Sequence, residues 1–363
     1  MEGVVNPSPE FWRGKRVLLT GHTGFKGAWM AIWLARLGAQ VHGFAKAPDT
    51  EPNFFELAGM AQRIDHAMGD LCDAKAIRSA VENARPQVVL HLAAQSLVRR
   101  SYSDPLATFA TNVMGTANLL EALREAPDVK SVVVVTTDKC YENREWVWPY
   151  RENDPLGGRD PYSASKACAE IVTGSYRDSF LSARGVAVAS ARAGNVLGGG
   201  DWADDRLLPD CMRAFKRGDT LLMRNPAAVR PWQHVLEPLS GYLLLAEHLF
   251  ERGSADKGVT TAFNFGPAVD DIRPVGWVVA EAARLWGPPA EGKVDTEVHP
   301  HEAQLLSLDA SKARTTLGWR PRLGLAQCLD WTVQWYREVT AGESALAITE
   351  SQIDRYVTLE STA

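Results

Sequence analysis

Residues 16–27 read Arg16-Val17-Leu18-Leu19-Thr20-Gly21-His22-Thr23-Gly24-Phe25-Lys26-Gly27: an apolar strand, a glycine-punctuated turn, then the opening of a helix. That context turns a glycine pattern into a phosphate site. Without side chains, Gly21 and Gly24 let the backbone bend sharply and approach a pyrophosphate. The free N–H groups and positive end of the following helix meet its charge. Gly27 allows close helix packing. Gly21, Thr23, Gly24, Phe25, Lys26 and Gly27 are therefore candidate contacts to a dinucleotide.

Around this stretch, short apolar runs alternate with amphipathic segments, the pattern of βαβ units in a parallel sheet buried on both faces. Strands are predicted at Lys15 to Thr20, Gln40 to Ala45, Arg63 to Met68, Gln87 to Leu92, Ser131 to Thr136 and Gly185 to Ala191. The segment after Gly27 carries Trp29, Ile32, Trp33 and Leu37 at helical spacing and stops at Gly38, while Asp73 to Arg85 opens on an acidic cap. Both read as crossover helices. Asn143 to Asp160 is rich in Trp, Pro, Gly and charge without a period, and is predicted to be a long loop over the carboxyl ends of the strands. Beyond Asn195 the sequence breaks into short, turn-rich pieces before a helix from Leu236 to Arg252. The expected fold is a Rossmann-type doubly wound parallel α/β sheet with a smaller, discontinuous α/β substrate-binding domain. Residues 1–190 and 236–266 form the cofactor domain in this reading, and 191–235 and 267–363 the substrate domain.

Further cofactor contacts follow from the ends of later strands. Asp70 and Leu71 follow the third, where a carboxylate and a backbone amide can meet adenine. Leu92, Ala93 and Ala94 end the fourth with small residues where the cofactor must pass. No acidic residue follows the second strand, where Phe44-Ala45-Lys46-Ala47-Pro48 stands. Lys46 leaves a 2′-phosphate open, but NAD is the expected cofactor.

Tyr162-Ser163-Ala164-Ser165-Lys166 begins a predicted helix, so Tyr162 and Lys166 share a face at i and i+4. A free tyrosine, with a pKa of about 10, is a poor base near neutrality; a nearby ammonium is expected to lower it. Lys166 can do this while holding the nicotinamide ribose. The strand ending at Thr136 delivers Thr137, Asp138 and Lys139 to the same end of the sheet. Thr137 can bond the substrate oxygen that Tyr162 deprotonates, an arrangement for moving a hydride from a secondary alcohol.

Composition narrows the partners. At 363 residues and a formal net charge of −5, the chain lacks the basic excess of a nucleic-acid or membrane surface. Cys72, Cys140, Cys168, Cys211 and Cys328 show no CxxC spacing, so neither a disulfide framework nor a metal site is expected. No run reaches the ~18 apolar residues of a membrane span, and the start lacks a basic region followed by an apolar stretch. A cytoplasmic protein is expected.

These residues together resemble the extended short-chain dehydrogenases, and within them the CDP-glucose branch of the sugar-nucleotide 4,6-dehydratases. The resemblance is carried by Thr136-Thr137-Asp138-Lys139-Cys140-Tyr141-Glu142-Asn143, Arg192-Ala193-Gly194-Asn195-Val196 and Gly198-Gly199-Gly200-Asp201-Trp202. Arg230-Pro231-Trp232-Gln233-His234-Val235, His299-Pro300-His301-Glu302 and Leu317-Gly318-Trp319-Arg320-Pro321 extend it. It implies a redox-neutral reaction on CDP-glucose: oxidation at C4, loss of water across C5 and C6, and hydride return to C6. Asp138 would be the acid for the departing hydroxyl. The dTDP-glucose branch has Glu where this chain has Lys139, leaving Lys139 or Tyr162 as the C5 base. Thr137 stands where the branch more often has Ser, with the hydroxyl kept. The resemblance also implies nucleotide contacts from Asn195 and Arg230, assisted by Arg224, with His301 nearby and Gln95 on the sugar. A homodimer, or a tetramer, through helices within Asp104 to Arg124 and Pro161 to Arg184 is implied too. A 4-epimerase needs only Thr137, Tyr162 and Lys166, and Asp138-Lys139 argues against one. A cofactor sensor should lack part of the catalytic set.

Overall fold

Strand β1 (Arg16–Thr20) and its central neighbours are apolar at nearly every position because both faces of their sheet are covered. The computed structural model describes residues 5–268, 271–295 and 305–360. After β1 come β2 (Gln40–Ala45), β3 (Asp65–Met68), β4 (Val88–His91), β5 (Ser131–Val135) and β6 (Ala187–Ala193). The short β7 (Asn195–Leu197), β8 (Leu221–Met223), β9 (Val229–Arg230) and β10 (Trp232–His234) follow, then β11 (Ala262–Phe265), β12 (Arg273–Pro274) and β13 (Gly292–Val294).

One parallel, seven-stranded sheet runs in the order β11-β6-β5-β4-β1-β2-β3. Its winding reverses between β1 and β4, the Rossmann arrangement that opens a crevice at the strands' carboxyl ends. The period of two along each strand feeds two cores. Val17, Leu19, Val88, Leu90, Val133 and Val135 enter one; Leu18, Val89, Val132 and Val134 enter the other. The helix Phe25–Arg36 covers the first with Trp29 and Trp33, both core residues as expected. The helix Ala74–Ala84, capped by Asp73 through bonds from the N–H groups of Lys75 and Ala76, covers the second with Ile77 and Val81.

Strand positions follow the sequence, with shifted ends. A short 3₁₀ turn at Met60–Gln62 keeps Arg63 and Ile64 out of β3. Strand β6 runs on to Ala193 because β11 pairs with it that far. The first crossover helix starts at Phe25, before Gly27. The Leu236–Arg252 helix has the expected bounds.

The rest of the chain packs differently. Strands β7 and β10, β8 and β13, and β9 and β12 form two-stranded pairs. They lie among the helices Leu207–Arg217, Val275–Trp286, Leu325–Thr340 and Ala345–Thr358. Residues 143–160 hold no helix; isolated bridges tie Tyr141 to Leu156 and Tyr150 to Leu308. No helix among the described residues is long and apolar enough to cross a membrane.

Candidate active site

A cleft of about 1050 Å³ opens at the carboxyl ends of β5 and β6. The glycine loop reaches it through Lys26. Gly21 has φ +79°, and a Cβ there would sit 2.6 Å from the backbone nitrogen of Ala93. A Cβ on Gly27 would lie 1.9 Å from Gly21 O. Gly24 starts the helix Phe25–Arg36 with no side-chain cap, leaving the first N–H groups turned to a ligand. This cradle fits the pyrophosphate of a dinucleotide.

The other expected cofactor residues surround it. Thr23 donates its hydroxyl to Lys46 O at 2.8 Å, so it braces the loop. Lys46 is held by Asp70 at 2.8 Å, which partly neutralises it. Burial pushes Asp70 up, but Lys46 and the Cys72 backbone N–H together hold it below its usual range. Leu71 is buried, and Leu92, Ala93 and Ala94 are half-buried where the loop meets β4. Phe25 packs against the first core. The side chain of Lys26 lines the cleft, as do Thr137 and Tyr162. Burial, then Arg206 and Lys166, pull its amine down to about 7, against Asp138 and Asp201.

Asp160 makes the helix Pro161–Tyr176 begin where it does. Its carboxylate accepts the Ser163 N–H at 2.9 Å and the Ser163 hydroxyl at 2.6 Å, with Pro161 in the first turn. Tyr162 therefore stands in that first turn, 8% exposed, lining the cleft together with Thr137. The phenol is pushed up to about 12: burial dominates, Thr137 and Arg206 pull it back, and Asp138 and Asp160 raise it further. The expected lowering by Lys166 is thus corrected. Arg206 is the larger cationic influence, and Lys166 donates instead to Val135 O at 3.1 Å. Burial lowers Lys166 to about 8, opposed by Glu170 and Cys140.

Thr137 caps the turn Asp138–Cys140 and donates to Asp138 Oδ1 at 2.9 Å. Asp138 is fully buried; Lys139 Nζ lies 3.6 Å from Oδ1, and Oδ2 has no partner among the described residues. Lys139 is partly open to the cleft. The structure therefore gathers Thr137, Asp138, Lys139, Tyr162 and Lys166 at one end of the sheet.

On the opposite wall, Asn195, Arg224 and Arg230 all line the cleft. Asn195 sits on β7, and its buried Oδ1 has no partner among the described residues, leaving an acceptor for a ligand. Arg224 lies 3.5 Å from Asp205, and Arg230 is 8% exposed. Gln95 is a correction: its amide donates to Leu97 O at 3.1 Å and Thr108 Oγ1 at 2.9 Å, and its oxygen accepts the Leu97 N–H at 2.6 Å. It builds the loop after β4 and does not line the cleft; Ser96 and Arg99 do. His299, His301 and Glu302 lie outside the described residues. Sequence reasoning missed Arg206, which spans the cleft mouth by donating to Asp201 at 3.1 Å and Ser96 at 2.8 Å. Nothing in its local sequence marks it. Among the described residues no cluster of ligating side chains can hold a metal.

The sequence profile of the GDP-mannose 4,6 dehydratase family matches residues 18–332. The CDP-glucose 4,6-dehydratase of Salmonella typhimurium is 47% identical over 352 residues, covering 96% of this chain and 97% of that protein. The dTDP-glucose 4,6-dehydratase of Streptomyces griseus is 30% identical over 331 residues, 89% of this chain and 94% of that one. Among solved structures, a double mutant of DesIV, a dTDP-glucose 4,6-dehydratase of Streptomyces venezuelae with NAD bound, superposes with a TM-score of 0.74. It is 25% identical, and the match covers 91% of this chain and 99% of that one.

Proposed function

The chain belongs to the GDP-mannose 4,6-dehydratase family, and from that premise we propose that its substrate is CDP-glucose, converted to CDP-4-keto-6-deoxyglucose and water. It is an NAD-dependent sugar-nucleotide 4,6-dehydratase, a hydro-lyase. The observation that carries the chemistry is that Thr137, Lys139 and Tyr162 line one cleft, with the buried Asp138 carboxylate bonded to Thr137. Bound NAD supplies reversible hydride acceptance, so oxidation at C4 and reduction at C6 cancel.

The residues divide the proton work. Thr137 holds the C4 oxygen and Tyr162 takes its proton. The raised phenol makes this transfer dependent on the charges that assemble around it, with Lys166 set to bind the nicotinamide ribose. A C4 ketone acidifies the C5 proton, which Lys139 in its neutral form, or Tyr162, removes. Asp138 gives a proton to the departing C6 hydroxyl, and its unpartnered Oδ2 is where that proton can sit.

Gly21, Thr23, Gly24, Phe25, Lys26, Gly27, Asp70, Leu71, Leu92, Ala93 and Ala94 surround the cofactor in this reading. Asn195 takes the nucleotide, while Arg230 and Arg224 neutralise the diphosphate. Residues 191–235 and 267–363 supply the sugar-nucleotide domain, closed against 1–190 and 236–266. A cytoplasmic homodimer covers Leu106, Met114 and Ile171, which are exposed at 81%, 56% and 62%.

The test is to supply purified protein and NAD with CDP-, dTDP-, UDP- and GDP-hexoses separately. The alkali-induced absorbance of a 4-keto-6-deoxy sugar is then read. Signal with CDP-glucose is expected; signal confined to another sugar nucleotide overturns the CDP assignment.

A further inference from the structure

One turn beyond Lys166 stands Glu170, which the reaction above does not use. Its side chain is 5% exposed. Oε1 accepts from Thr136 Oγ1 at 2.5 Å and Arg192 Nε at 2.9 Å; Oε2 accepts from Ser190 Oγ at 2.5 Å and Arg192 Nη2 at 3.0 Å. The Arg192 guanidinium also donates to the Tyr141 hydroxyl at 2.8 Å and to Glu152 O at 3.1 Å. Tyr141 donates in turn to Asn264 at 2.7 Å.

This buried pair joins the two halves of the catalytic set. Thr136 immediately precedes Thr137 at the tip of β5, while Glu170 shares a helix with Tyr162 and Lys166. Stability alone gives little reason for it, because a buried ion pair can often be replaced by apolar residues without loss. Its charge has a use. The charged or titratable groups facing Lys166 are Glu170 on its own helix, Cys140 from the turn after β5, Lys26 from the glycine-loop helix and His91 from β4. Glu170 is the largest influence that favours the ammonium against burial.

We propose that Glu170, paired with Arg192, is a positioning residue for the dehydratase reaction: it fixes Thr137 opposite Tyr162 and sets a buried carboxylate one helical turn from Lys166. It does not line the cleft, so it acts through those residues and touches no substrate. The proposal rests on the reading of the cleft as a sugar-nucleotide dehydratase.

The pH profile separates this role from a structural one. Lys166 titrates near 8, so its charge is present below that pH and is lost as pH rises through it. In Glu170→Gln the basic limb of kcat moves to lower pH by roughly one unit. In Glu170→Asp the charge remains and the limb stays in place. The shorter carboxylate cannot reach Thr136, Ser190 and Arg192 together, so kcat falls roughly tenfold or more at every pH. Circular dichroism establishes that each variant is folded. An unmoved limb in folded Glu170→Gln, or wild-type kcat in Glu170→Asp, overturns the proposal. If Glu170→Gln does not fold, Glu170→Asp decides it. Each variant is compared with wild type on whichever sugar nucleotide wild type turns over, so a failed CDP assignment shows in wild type and leaves this comparison intact.

Discussion

On the cofactor side of the cleft, backbone is packed on backbone: a Cβ at Gly27 would fall 1.9 Å from Gly21 O, and the strands beneath are buried on both faces. The substrate side rests on strands of two or three residues and on ion pairs, such as Arg206 with Asp201 at 3.1 Å and Arg224 with Asp205 at 3.5 Å. The first arrangement tolerates no added volume but is indifferent to salt. The second accepts changes of shape but answers to charge. A redox-neutral reaction suits this division, because the cofactor stays through each cycle while the sugar nucleotide enters and leaves.

The largest expected effect is on the cofactor side. Gly27→Ala forces the loop apart and should cost several kcal/mol, abolishing NAD binding; thermal unfolding and cofactor titration check it, and a native melting temperature would break the contrast. Tyr162→Phe comes next. Turnover should fall by roughly 10²- to 10⁴-fold, the usual contribution of a positioned acid–base group, with little change in stability. Retained activity would remove Tyr162 from the proton path.

The two regions should also respond oppositely to pH. His91, buried between Thr20 and Thr116, is held down to about 3 by burial and then by Lys166. The unfolded chain protonates it near 6.5, so its contribution is full above that pH and is lost as pH falls toward 3. Glu237 anchors the carboxyl-terminal segment by accepting the N–H groups of Arg322 and Leu323 and the Tyr356 hydroxyl. Burial pushes it up to about 7 against those bonds. Its contribution is full below the unfolded carboxylate range and is lost as pH rises through about 7. Glu237→Gln should therefore flatten the stability curve between the unfolded carboxylate range and about pH 7 by at most a few kcal/mol, leaving its slope above pH 7 unchanged. Unfolding midpoints from pH 4 to 9 read this, and a slope below pH 7 that is unchanged from wild type would contradict it.

The smallest effect belongs to the cleft rim. Arg224→Met should weaken sugar-nucleotide binding by roughly 1.5 to 3 kcal/mol and reduce its dependence on salt, with kcat nearly unchanged. A fall in kcat at unchanged KM would move Arg224 from binding to chemistry.

The same contrast explains what the sequence made legible. The glycine loop, the first six sheet strands and the Leu236–Arg252 helix were readable because their contacts are local and their apolar runs carry a period. Strand β11 was not among the expected strands: four residues with Asn264 inside them carry no such pattern. The substrate wall was readable only at motif residues, since pairings such as β7 with β10 join segments too short for periodicity. Gln95 misled because a polar residue at a strand end looks the same whether it faces a ligand or builds its own loop. Arg206 and Lys26 owe their places to tertiary packing. Glu170 left a trace, four residues after Lys166 on the same helix face, but its partner Arg192 comes from another strand.

The central claim is that one hydride leaves C4 and returns to C6 of the same sugar within this cleft. The most direct test is to convert CDP-glucose deuterated at C4 in ordinary water and locate the label in the product by NMR and mass spectrometry. The account predicts one deuterium on C6 with no accumulation of reduced cofactor. Label retained at C4, or lost to solvent, would contradict it.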